Sequence, residues 1–158
     1  MSTQRYQLPD EPRPGALAQT AVDPMWPMFA FILVGAWMGL AWFALNTFAL
    51  GSPTWRRELG LVALALSGSA LLFFGLAGAF ESGWLDQQTL RYAMLGIVAL
   101  KLGCAYGLHV MQSRVFELFT YFGGEAKNGM VVLILGMVML RAPVGKALSG
   151  SVFGVILQ

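Results

Sequence analysis

The chain has 158 residues, 57% hydrophobic and 11% charged, with 10 Lys and Arg against 8 Asp and Glu. Soluble domains carry about 25% charged residues, so this composition excludes an ordinary water-facing surface and points to a membrane. A net charge of +2 without a basic cluster offers no electrostatic footprint for nucleic acid. The single cysteine, Cys104, and the single histidine, His109, exclude an intrachain disulfide, a CxxC pair, a cysteine zinc cluster and a bis-His haem within one chain.

Residues 1–25 are polar, with Pro9, Pro12, Pro14 and Pro24 spread along them, and read as a flexible tail. From Trp26 to Leu50 no residue is charged. A helix over 26–50 would rise about 37 Å, enough to cross a hydrocarbon core of about 30 Å. Ser52 suits an N-cap and Pro53 the first position of the next helix, which places Trp55, Arg56, Arg57 and Glu58 at the interface and a second span at 59–80. A short polar connection follows, with Asp86 placed to cap the third span at 92–112. Residues 113–122 alternate apolar side chains with Arg114, Glu117 and Thr120, the pattern of an amphipathic segment lying at the interface and ended by Gly123 and Gly124, or else simply the frayed end of the third span. The fourth span is placed at 127–143, closed by Arg141 and Pro143. Residues 145–158 are apolar and too short to cross; they suit an interfacial, re-entrant or partner-packed segment. The expected architecture is therefore all-α, a polytopic integral membrane protein with four transmembrane helices.

Four spans would put both termini on one side. Counting Lys and Arg near the spans gives four on each side once distant Arg5 is dropped, so the positive-inside rule barely separates the orientations. The reading sets both termini in the cytoplasm and, on composition, the protein in a bacterial inner membrane.

Lys101 is the anomaly of the sequence, because it lies at the centre of the third span, where a charge costs roughly 2.5–3.5 kcal/mol. In a hairpin of spans two and three it falls opposite Ser67 and Ser69. It reads either as a lysine satisfied by those hydroxyls and by carbonyls, or as a site for an anionic ligand or a partner's carboxylate. His109 lies about 12 Å further along the helix, as an interfacial anchor or packing residue, or as a proton-handling group or a ligand to a metal or haem shared with another subunit. No metal site or cofactor is expected within the chain itself, and Cys104 reads as packing. Pairs of glycines four apart, Gly35 with Gly39, Gly103 with Gly107 and Gly150 with Gly154, allow close approach of helices within the bundle or between copies. With no catalytic constellation in the chain, the leading expectation is a non-catalytic subunit or assembly factor of a larger membrane complex. Its partners would be lipid and other membrane subunits or a second copy. The alternative is a small oligomeric transporter or channel passing an anionic solute or lipid by Lys101; a lipid-modifying enzyme has the least support.

Overall fold

A computed structural model of the protein describes residues 15–148 and Gly154. Every regular element among them is helical. In chain order these are a 3-10 turn at Ala18–Thr20, then α1 (Met25–Leu33), α2 (Ala36–Ala49), α3 (Trp55–Glu81), α4 (Gln87–Tyr121), α5 (Met130–Leu135) and α6 (Arg141–Leu148). Three helices are long and apolar enough to cross a membrane: α3, α4 and the continuous helical stretch Met130–Ala147.

The uncharged run 26–50, expected as one span, is two helices. The break falls at Val34 and Gly35, and Gly35 adopts φ 137° and ψ 164°, a conformation open to glycine and strained for a residue with a Cβ. The chain then reverses: a Cβ placed on Gly39 would lie 2.5 Å from the Cα of Phe31. Gly35 and Gly39 thus form a tight helical hairpin within one chain. At about 14 and 21 Å, neither arm reaches across a 30 Å core.

The hairpin packs on α3 and α4, which are themselves antiparallel. Gly68 lies against Leu100 and Gly107 against Leu61, the register anticipated from the sequence. Ala36, Leu40 and Phe43 of α2 form a buried core with Ala65 of α3 and Cys104, Ala105 and Leu108 of α4. The hairpin tip therefore reaches only the middle of α3 and α4. From Gly68 to Glu81, roughly another 20 Å of α3 continues beyond it.

Other boundaries also differ from expectation. Residues 113–122 do not form a separate interfacial segment; they continue α4, 35 residues long, without interruption. One apolar face of this segment meets protein, since Val115 and Phe119 are buried with Ala21, Ala49 and Leu50 at the hairpin base, while Leu118 and Phe122 stay exposed. The last part of the anticipated tail is packed as well. Ala21 is fully buried and accepts a 2.8 Å hydrogen bond from the Lys127 N–H. Residues 1–14 of that tail lie outside the described residues.

The final helix runs alongside α1, with Gly129 against Trp26 and Leu133 packed with Ala30, Val34 and Met38. It widens into a π-turn at Gly136–Leu140, where the Arg141 N–H bonds the Gly136 carbonyl. Gly136 there abuts the Met38 side chain. Pro143 lies just beyond the π-turn, inside the continuous helical stretch. Arg141, expected to close the fourth span, is instead inside the helical stretch Met130–Ala147. Residues 145–148 of the apolar tail prolong that helix, while 149–153 and 155–158 lie outside the described residues.

Candidate functional site

The most concentrated polar chemistry lies at the base of the hairpin, around Glu58. This carboxylate, in the first turn of α3, is fully buried, as are Gln112 of α4 and, to within 1% of full burial, Asn46 and Thr47 of α2. Glu58 Oε2 accepts from the Thr47 hydroxyl at 2.7 Å and from Gln112 Nε2 at 3.0 Å. Its Oε1 accepts from the Thr54 hydroxyl at 2.8 Å and from the Ser52 hydroxyl. Gln112 Nε2 also donates to the Phe43 carbonyl at 2.8 Å and to Thr47 Oγ1 at 2.9 Å.

The amide orientation of Gln112 is set from outside the cluster. Val22 pairs through its backbone with Asn46, donating to Oδ1 and accepting from Nδ2, each at 3.0 Å. Asn46 Nδ2 then donates to Gln112 Oε1 at 3.0 Å, which turns Nε2 toward Glu58. The tail segment, the hairpin, the 51–54 loop, α3 and α4 are tied together through one network. In a membrane interior such groups have no water to turn to, so mutual satisfaction is what makes their burial tolerable.

The donors of the cluster also have alternative acceptors in reach. The hydroxyls of Thr47, Ser52 and Thr54 supply one hydrogen each and the Gln112 amide two. Those hydrogens serve more donor–acceptor pairs than their number, because Thr47 also points to the Phe43 carbonyl and Ser52 lies 3.0 Å from Thr54 Oγ1. No basic side chain is hydrogen-bonded to Glu58 among the described residues. Arg56 stacks on Trp55 at 5.3 Å, and Arg57 is exposed.

The residues singled out from the sequence are dispersed. Lys101 is 95% buried on α4, one turn before Cys104 and Ala105, and hence near the hairpin tip. Ser69 is buried on α3, and its hydroxyl donates to the Ala65 carbonyl; Ser67 is exposed and donates to Ala63. His109 is half-buried, and its Nδ1 is enclosed without a hydrogen-bond partner among the described residues. Among those residues no His, Cys, Asp and Glu side chains gather as a metal-ligating group. Gly107 faces α3, Gly103 opens to the outside, and Gly150 lies outside the described residues.

Reading the sequence by charge missed Asn46, Thr47 and Gln112 altogether, and set Glu58 at the interface. The signal was present: amide and hydroxyl side chains inside apolar runs need partners as charges do.

The chain matches no family model, no curated protein and no solved structure.

Proposed function

We propose that the protein is a non-catalytic integral membrane protein that serves as a subunit or assembly factor of a larger membrane complex. Arg141 carries this reading. It lies twelve residues into the apolar stretch Met130–Ala147, on a surface its own chain leaves open, beside a recess of about 250 Å³ under the hairpin tip. The described carboxylates lie elsewhere: Asp23, Glu58, Glu117 and Glu125 toward the hairpin base, and Glu81 and Asp86 at the opposite turn. A guanidinium at such depth is costly unless a neighbour compensates it, and a carboxylate from another membrane chain would do so. Tagged protein purified at native expression in mild detergent should carry a second chain, and Arg141→Leu should shed that chain without shifting thermal stability. A solitary monomer would overturn the reading.

The hairpin also revises the expected crossings. With α1 and α2 entering and leaving on one side, three helices cross and the termini fall on opposite sides. Arg56, Arg57, Arg114 and Lys127 then cluster on the hairpin-base side, with Arg5 and Arg13 preceding them in the chain, against Arg91 and Lys146 on the other. This imbalance favours a cytoplasmic hairpin base in a bacterial inner membrane. With Cys104 replaced by Ala, Gln19→Cys and Pro53→Cys should react with an impermeant thiol reagent from the same side. Labelling from opposite sides would restore a full first span.

The position of Lys101 near the tip of a half-membrane hairpin favours, as a second reading, passage of an anionic solute, since broken helices at mid-depth commonly accompany transport sites. On that reading Lys101→Met abolishes anion flux in reconstituted vesicles; unchanged flux removes it.

A further inference from the structure

We propose that the recess under the hairpin tip binds a carboxylate borne on an apolar body, with the Arg141 guanidinium as its counter-charge. The recess measures about 250 Å³ and is lined by the turn that joins α1 to α2 and by the first residues of α6. Val34 and Trp37 form apolar walls, exposed Ile32 and Leu33 form the rim, and Gly35 adds no side chain to fill the space. Arg141 is the one charged side chain lining it among the described residues. No hydrogen bond or ion pair ties its guanidinium to any other described residue. A cavity and a cation without a counter-charge therefore coincide, at a depth where an uncompensated charge is costly.

The backbone brings that charge to the recess. In an unbroken α-helix Arg141 would point about 140° away from Gly136. The π-turn closes instead with the Arg141 N–H on the Gly136 carbonyl, and the wider turn swings Arg141 back toward the face on which Gly136 meets Met38. Single π-turns inside α-helices are rare, and many mark functional sites. Here two departures from regular helix, the π-turn and the break at Gly35, frame one cavity.

The chemistry of the seat decides the class of ligand. A guanidinium presents paired N–H donors in the plane and at the spacing of a carboxylate, and its single positive charge balances a single negative one. A phosphate dianion would leave a charge unbalanced among apolar side chains, where burial penalises it. The walls suit the hydrocarbon that carries the acid. This inference rests on the reading of Arg141 as a charge awaiting compensation, and it names what supplies it: a free lipid-soluble acid, or a Glu or Asp side chain on a partner helix.

The full-length protein in nanodiscs of zwitterionic lipid is titrated with laurate brominated at its α-carbon, where the bromine keeps the acid ionised and quenches a nearby indole. Quenching should saturate and should be reversed by excess unbrominated laurate. The saturable part should vanish in Trp37→Phe, because Trp37 lines the recess. Arg141→Gln should weaken binding about tenfold, the loss of one charge-assisted pair. Arg141→Lys, which keeps the charge without the fork, should fall between the two. Arg141 is exposed, so neither variant threatens the fold. Equal saturable quenching by the acid and by the matching brominated alcohol overturns the proposal, as does an Arg141→Gln affinity equal to wild type. Binding is measured on the isolated chain, so it separates from the subunit reading, which falls on a solitary monomer whatever the acid does. Once the isolated chain binds the acid, saturable quenching of the complex purified at native expression assigns the seat to a free acid. Its loss in that complex assigns the seat to the partner's carboxylate.

Discussion

The two halves of the α3–α4 pair are made from the same helices and live in different surroundings. Toward the base, the pair is covered by the re-entrant hairpin, and its inward side chains, from Glu58 and Ala65 to Leu108 and Gln112, are fully enclosed by protein. Toward the opposite turn nothing among the described residues covers it, and Leu71 is 73% exposed, Phe74 61% and Leu95 60%. Lipid tails are as apolar as leucine, so exposure there carries little penalty in a bilayer, and tight packing there adds little drive. The base half is where intrachain contacts and hydrogen bonds set stability; the far half is an apolar surface solvated by lipid. What separates them is polarity hidden inside the apolar runs.

Removing the centre of the polar network is the most direct way to break this comparison. Glu58→Ala strands the hydroxyls of Thr47 and Ser52 and the Gln112 amide in a dry interior. Buried groups left unsatisfied cost about 1–3 kcal/mol each, and partial rearrangement should leave a net loss of about 3 kcal/mol. Unfolding in mixed micelles would measure it, and a loss below about 1 kcal/mol would mean that the base half does not depend on its polar network.

Substitutions at the hairpin turn come next. A Cβ at Gly39 collides with Phe31 backbone, which cannot swing aside as a flexible side chain would. Gly39→Ala should therefore cost about 2 kcal/mol, in the range for overpacked sites. Gly35→Ala, at φ 137°, should cost about 1–2 kcal/mol from backbone strain alone. In the far half, Leu71→Ala should change stability by less than about 0.5 kcal/mol, since lipid replaces the lost surface. A Leu71 effect equal to that of Gly39 would reveal protein contacts on the far half and erase the distinction.

How much of this was legible in the sequence follows from which residues carried the information. The membrane character, the α3–α4 hairpin and its register were readable, because apolar runs of 20 or so residues and a short polar connection leave few arrangements open. The hairpin within 26–50 was not. A glycine inside an apolar run is compatible with a continuous helix, and only its tertiary setting, with Gly39 against Phe31, shows that Gly35 reverses the chain. The interfacial reading of 113–122 failed for a related reason: an amphipathic pattern marks one apolar face without saying whether lipid or protein covers it, and here Val115 and Phe119 meet the hairpin base. For the site, Lys101 drew attention by its charge, while Gln112 and Asn46 hold the network with neutral side chains that a count of charges passes over.

The smallest expected effect lies at the far end, outside the membrane-spanning segments, where Asp86 caps α4. Its Oδ1 accepts a 3.2 Å hydrogen bond from the Thr89 N–H. Hydrogen bonds from the Thr89 side chain and backbone hold the carboxyl below the usual value of 3.8. A carboxyl whose pKa is depressed on folding contributes stability that is present above its unfolded pKa and is lost as pH falls through the folded one. The α4 cap should therefore be insensitive to pH across the neutral range and weaken only in acid below about 4. Being fully exposed, Asp86 should act locally, fraying the first turn of α4 without opening the base half. Hydrogen exchange at Gln88, Thr89 and Leu90 should accelerate relative to its intrinsic acid-pH rate as the cap protonates, and Asp86→Asn should remove that pH dependence while the amides around Gln112 stay protected. If acid released both regions together through Asp86, the two halves would be one cooperative unit, and the contrast between them would be one of surroundings alone and not of stability.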